Sequence, residues 1–284
     1  MARLIERLLL LLRFISAFGA RGIIVVWKLY VGRPGKVVSV NLDGHRFFVR
    51  KRTGDVGVFR QVFVERESDL RTFPQSALVM KKYREIIRCG RKPLVVDCGA
   101  HTGLSTIFLN TLFPQATIVA LEPANDNFDL LRRNVADCQT VVTLRAGVWD
   151  KSTYLRIINS PQDSHSYQTA ECCQSDPGAI AAVSVPDLLE KFAESDPLLI
   201  KIDVEGSEQV LFRSNTGWVD KFPLLIIELH DWLLPQQKTS APFLALIPKM
   251  GGDFVSRGEN IFLFNWSAMA EERCQPERDE GLTS

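Results

Sequence analysis

No stretch of this 284-residue chain reaches the roughly 18 uncharged apolar residues that a membrane-spanning helix needs. The nearest approaches are five consecutive leucines, Leu8 to Leu12, and an apolar run at residues 23–27, and Arg13, Arg21 and Lys28 interrupt them. Neither sign of charge is in excess. The chain has 34 basic and 33 acidic residues, a net charge of +1, so no bulk field draws it to nucleic acid. Its six cysteines include no C-x-x-C pair, and their spacing fits neither a zinc site nor a disulfide framework. A reducing compartment is the simplest reading. Internal repeats and low-complexity tracts are missing as well. What is there is 46% hydrophobic and 24% charged, ordinary for a globular chain and enough for one large α/β domain or two small ones.

The chain divides into four stretches. Residues 1–35 form an apolar and basic helical segment. Arg13 breaks the apolar centre that a signal peptide would need. The segment reads as an amphipathic helix that docks on the rest of the protein, on a partner or on a membrane surface. Residues 36–92 read as a cap: a hairpin around Asp43-Gly44, then helices at 56–64 and 76–88. Arg50-Lys51-Arg52 reads as a solvated surface turn. Residues 93–270 alternate strands and helices, with strands at 94–96, 117–121, 140–144, 198–202 and 224–229. That alternation predicts a parallel sheet with helices on both faces, closed by an antiparallel pair at 253–255 and 261–264. A polar loop fills 159–177, and 271–284 is a polar, frayed tail.

The densest motif is Val95-Val96-Asp97-Cys98-Gly99-Ala100-His101-Thr102-Gly103. A buried strand ends in an acid and enters a turn with two glycines four residues apart. This is not the dinucleotide G-x-G-x-x-G pattern, and it has no lysine before serine or threonine, so it is no triphosphate loop. Glycines at such a turn relieve crowding beside a ligand, and Asp97 can hold an amine or a structural water. His101 either touches the ligand or holds the loop. Glu122, at the end of the next strand, is placed to accept both hydroxyls of a ribose. Together these features predict a nucleoside site.

Lys201-Ile202-Asp203-Val204-Glu205-Gly206-Ser207-Glu208 ends another strand in acids, and Glu228-Leu229-His230 ends a third. Ligands of open parallel sheets bind outside the carboxyl ends of the strands, where Asp97, Glu122, Asp203 and Glu228 converge. Glu205 and Glu208 read as helix-start residues. Asp203 reads as the crevice residue. His230 reads either as a proton acceptor for a substrate hydroxyl or as a packing histidine.

These residues resemble the FkbM family of S-adenosylmethionine-dependent methyltransferases. The likeness runs through Asp97 to Gly103, Leu121-Glu122-Pro123, the run Leu199 to Glu208, and Ile227-Glu228-Leu229-His230. Arg52-Thr53-Gly54-Asp55-Val56-Gly57-Val58-Phe59 also resembles the segment before the family's core. The resemblance implies a Rossmann-like class I methyltransferase fold, with a mostly parallel seven-stranded sheet. It implies S-adenosyl-L-methionine as cofactor, with Gly99, Ala100 and Gly103 along its methionine part and Glu122 on its ribose. Members methylate hydroxyl oxygens of sugars or polyketide-type products. Here the chain departs from the pattern, with His101 where asparagine is usual and Thr102 where an aliphatic residue is usual.

The leading expectation is an O-methyltransferase acting on a hydroxyl of a sugar, glycolipid or natural product. It would bind the cofactor through Asp97, Gly99, Ala100, His101, Gly103 and Glu122, with Asp203 or His230 as base. No metal is assigned, although Asp203, Glu205 and Glu228 form an alternative divalent-cation set. An NAD-dependent oxidoreductase and an inactive membrane-associated binding protein are the competing readings. The expected partner is a small-molecule or glycan acceptor, with no nucleic acid. The expected location is cytoplasmic, with peripheral membrane contact through residues 1–28.

Overall fold

The computed structural model describes residues 2–159 and 167–270. Helices α1 (Ala2–Phe18) and α2 (Arg21–Tyr30) form a hairpin. They touch at Gly22, where an added Cβ would lie 2.3 Å from the Phe14 carbonyl oxygen. Strands β1 (Val37–Leu42) and β2 (His45–Arg50) pair across Asp43-Gly44. Both turn residues have positive φ (48° and 83°), as a two-residue hairpin turn requires. Helix α3 (Gly54–Phe59) starts at Thr53, whose hydroxyl accepts from the Asp55 N–H, and it runs on as a π-helical stretch, Arg60–Glu65. Helix α4 (Ser76–Arg88) leads into the main sheet.

Of Arg50-Lys51-Arg52, expected as a solvated turn, only Arg52 is exposed. The Arg50 guanidinium binds Asp55, Asp126 and Asn127, and Lys51 is buried with its ammonium on the Val31 carbonyl. Once Asp55 lies buried in α3, a cation has to neutralise it.

The remaining elements are β3 (Lys92–Cys98), α5 (Leu104–Leu112), β4 (Thr117–Leu121), α6 (Asn125–Asn134) and β5 (Val141–Leu144). They are followed by β6 (Gly147–Trp149), β7 (Thr153–Ile157), β8 (Thr169–Cys172), β9 (Ile180–Ser184) and α7 (Val185–Lys191). Last come β10 (Ser195–Ile202), α8 (Glu208–Leu211), β11 (Leu224–Glu228), β12 (Gly252–Arg257) and β13 (Asn260–Asn265). Seven strands form one sheet in the order β12-β13-β11-β10-β3-β4-β5, and β13 runs antiparallel to both neighbours. Both faces are covered: Leu94, Val96 and Cys98 pack on one side of β3, and Val95 packs on the other. That double burial is why the central strands are continuous apolar runs.

Strand order reverses between β3 and β10, and a crevice opens there at the strands' carboxyl ends. The expected polar loop at 159–177 is in part strand β8, which joins β6, β9 and β7 in a separate four-stranded sheet. Its composition hid it, because Thr169-Ala170-Glu171-Cys172 is only four residues long and its two apolar positions are the small Ala170 and Cys172. Residues 160–166 of that loop and the tail 271–284 lie outside the described residues. One cysteine also departs from expectation: Cys89 is disulfide-bonded, whereas Cys98, Cys138, Cys172 and Cys173 are free.

Candidate active site

The turn after β3 is wound tightly by three left-handed residues, Gly99 (φ 80°), His101 (φ 50°) and Gly103 (φ 82°). The Gly99 and Ala100 N–H groups donate to the Leu121 carbonyl at 3.0 and 2.8 Å, which ties the turn to the end of β4. Glu122 completes the tie. Its carboxylate accepts from the His101 N–H and the Ala124 N–H, both at 2.9 Å. Burial raises the Glu122 pKa to about 7, against the pull of those hydrogen bonds.

Asp97 lies under the start of α5. One of its oxygens accepts from the hydroxyls of Ser105 (2.8 Å) and Thr106 (2.7 Å), and its Oδ1 is buried without a hydrogen-bond partner.

The glycines were expected to clear space for a ligand, and the structure gives a different reason. A Cβ on Gly99 would lie 1.8 Å from the Asp203 carbonyl oxygen, and one on Gly103 would lie 2.6 Å from the Leu131 side chain. Close approach of the turn to the chain after β10 and to α6 demands glycine here. Gly99→Ala should therefore cost stability by at least about 2 kcal/mol, from strain at positive φ plus overpacking. Denaturant unfolding checks this, and a midpoint unchanged from wild type would refute the packing role.

On the far side of the crevice, Lys201 donates to Asp203 at 3.0 Å. Burial works against the Lys201 charge, but Asp203, Asp97 and Glu228 outweigh it and hold the ammonium above its ordinary pKa. Burial likewise opposes the Asp203 charge, and Lys201 and His230 overcome it, so this carboxyl titrates below its usual value. Glu205 and Glu228 shift the other way. Burial, then repulsion from Asp203, raises both, and Glu205 reaches about 8.

His230 is 1% exposed and sits behind these groups. Its Nδ1 lies 2.6 Å from Glu208 Oε1. Its Nε2 lies 3.6 Å from both Asp203 and Glu205 and 3.5 Å from Glu228. Burial disfavours the imidazolium, yet Glu208 and Glu228 raise its pKa to about 11.

A cavity of about 510 Å³ runs between the two acidic walls, within the range of ligand pockets. Of the expected site residues it is lined by Gly99, His101, Glu122 and Asp203, but not by Asp97, Ala100, Gly103 or His230. Ala100 is 1% exposed and packs in the apolar cluster of α5 and the β1–β2 hairpin. The Glu205 reading also needs correction. Glu205 takes a left-handed conformation (φ 51°) and lines the cavity, while Glu208 faces His230. Lys201 escaped notice, although its signal was legible as a lone cation inside a buried apolar strand. The wall formed by Gly54, Gly57, Val58 and Gln61 comes from α3 and the π-helical stretch, which only tertiary packing brings here.

Among the described residues, Asp203, Glu228 and His230 each offer one ligand atom, all within 4.8 Å of one another, and could hold a metal ion.

The sheet order and the crevice at its switch point define a class I methyltransferase fold. Residues 97–253 match the methyltransferase FkbM domain family, and the chain belongs to it. Membership implies S-adenosyl-L-methionine as cofactor. The residues fit that group. The ionised Asp203 lines the cavity and suits a cationic sulfonium, the carboxyl groups of Glu122, Glu205 and Glu228 line it beside Asp203, and Asp97 keeps an unused acceptor beneath the turn.

The chain is 27% identical over 144 residues to hexuronic acid methyltransferase AglP of Haloferax volcanii, covering 50% of this chain and 58% of that one. It is 24% identical over 198 residues to methyltransferase 1 of Beauveria bassiana, covering 61% of this chain and 73% of that one. Among solved structures it is similar to a putative O-methyltransferase from Klebsiella pneumoniae. There the identity is 13%, the TM-score 0.37, and the coverage 68% of this chain and 90% of that one.

Proposed function

We propose that this protein transfers a methyl group from S-adenosyl-L-methionine to a hydroxyl oxygen of a sugar, glycolipid or natural product. The observation that carries the reading is the pairing of Glu122 on one cavity wall with the ionised Asp203 on the other. When bound, the cofactor supplies a methyl group already activated on a sulfonium.

The chain's own residues hold and orient. Glu122 receives the ribose hydroxyls, and Gly99 and His101 border the rest of the cofactor. Asp203 accepts the proton that the acceptor hydroxyl loses as its oxygen bonds to the methyl carbon and the methyl–sulfur bond breaks, its electron pair staying on sulfur. Lys201, fixed by its 3.0 Å bond, keeps Asp203 ionised and aimed. His230 carries no free lone pair while it is an imidazolium, so its role moves from base to positioning cation, drawing three carboxylates together. The AglP likeness supports a uronic acid or related sugar as acceptor.

A second reading is favoured by the ligand atoms of Asp203, Glu228 and His230. With His230 neutral, its Nε2, Asp203 and Glu228 would hold a divalent cation that would lower the pKa of an acceptor hydroxyl, and Glu208 would orient the ring through Nδ1.

Labelled cofactor incubated with hexuronic acid glycans, before and after chelator treatment, tests both. Labelled methyl ester on the sugar would show that a carboxylate rather than a hydroxyl oxygen is the acceptor. Binding of NAD but not of S-adenosyl-L-methionine would end the first reading. Activity lost on chelation and restored by magnesium selects the second.

A further inference from the structure

We infer that the α1–α2 hairpin is a docking surface for an anionic lipid bilayer, which seats the protein on a membrane without crossing it. Exposed large apolar side chains gather on both helices. On α1 these include Leu8 (55% exposed) and Leu12 (52%), and on α2 Ile24 (58%) and Trp27 (61%).

The stripe on each helix has a definite direction. At about 100° per residue, Leu4, Ile5, Leu8, Leu9 and Leu12 fall within less than half the circumference of α1, and Ile23, Ile24 and Trp27 do the same on α2. Phe14, Val25 and Leu29 lie on the opposite arcs and are buried in the core with Phe59. Both stripes therefore point away from the body of the protein.

Charge decides between a lipid surface and a protein groove. Glu6 is the one acid among residues 1–42, which carry seven Arg or Lys side chains. Arg7, Arg21, Arg33 and Lys36 are exposed around the apolar stripes. An apolar face rimmed by cations matches acyl chains beneath anionic headgroups, and Trp27 is of the type that settles at that boundary. A second copy of this chain would bring like charges together. No described helix is long and apolar enough to cross a membrane, so the hairpin lies on the surface.

The position matters for the cavity. Arg13 binds Glu65 at 3.0 Å and Phe14 stacks on Phe59 at 6.4 Å, while Gly57, Val58 and Gln61 of the same helical stretch line the cavity. The cavity is thus one helical layer from the bilayer.

The test is co-sedimentation of the full chain with vesicles of phosphatidylcholine, with and without phosphatidylglycerol. Binding should rise on the order of tenfold with the anionic lipid and fall steeply with salt. The triple variant Leu8→Glu, Leu12→Glu, Ile24→Glu changes only exposed positions. It should leave the pellet while cofactor affinity stays at the wild-type value. Arg7→Glu with Arg21→Glu should abolish the preference for phosphatidylglycerol. Wild-type protein that stays in the supernatant at low salt overturns the inference, as does a triple variant that still pellets. A concentration-dependent dimer that the triple variant dissolves, without vesicle binding, would assign the face to a second copy instead. Because no arm reads methyl transfer, failure here leaves the proposed reaction standing, and failure of that reaction leaves this surface standing.

Discussion

Replacing Asp203 by asparagine is expected to lower turnover about 10²–10⁴-fold while cofactor affinity holds, the span typical for loss of a general base. The substitution keeps the shape of the side chain and removes its charge. Asp203 is the cavity carboxylate whose pKa is held below its usual value, so it is ionised throughout the neutral range, whereas Glu205, at about 8, is largely protonated at pH 7. Single-turnover kinetics with a competent acceptor, beside calorimetric cofactor binding, separate chemistry from affinity. A variant with full turnover would remove Asp203 from the proton path.

His230 gives the contrasting case. Its neighbour Glu208 is fully buried, so His230→Ala leaves a carboxylate without its cation. Breaking a buried pair from one side costs about 3–5 kcal/mol. The histidine variant should therefore show first as a fall in melting temperature, and a stable but inactive variant would restore the base assignment.

Glu122→Ala should weaken cofactor binding at least about tenfold, since each charge-assisted hydrogen bond is worth about 1.5–3 kcal/mol. The effect has two sources. The ribose loses its acceptor, and the buried N–H groups of His101 and Ala124 lose theirs, which loosens the glycine turn. The pKa of about 7 adds a sign that can be read. Hydroxyl donors favour the ionised carboxylate, and below pH 7 the free protein must first give up a proton. Affinity should accordingly fall as pH drops through 7 and level off above it. Glu122→Gln should flatten the curve over that range. Calorimetry from pH 6 to about 8.5 measures both. A wild-type curve already flat there would remove Glu122 from the ribose.

The amino-acid sequence by itself determined the sheet and the location of the crevice. Parallel strands buried on both faces are apolar throughout, so the runs ending at Asp97, Glu122, Asp203 and Glu228 could be read one by one, and the switch-point rule placed their ends together. The family was legible in the same motifs. What only the tertiary structure decided is which of those side chains face the cavity and in which protonation state. Gly99 and Gly103 are conformational and packing glycines because their missing Cβ atoms meet Asp203 and Leu131, contacts distant in sequence. His230 is a cation because folding gathers four acidic side chains around its ring, Asp203, Glu205 and Glu208 from the run after β10 and Glu228 from the end of β11. Glu205 turns inward because its backbone is left-handed. Strand periodicity fixes which face a residue takes. The charge on a buried group depends on the neighbours that folding brings within a few ångströms, and no local pattern in the chain encodes them.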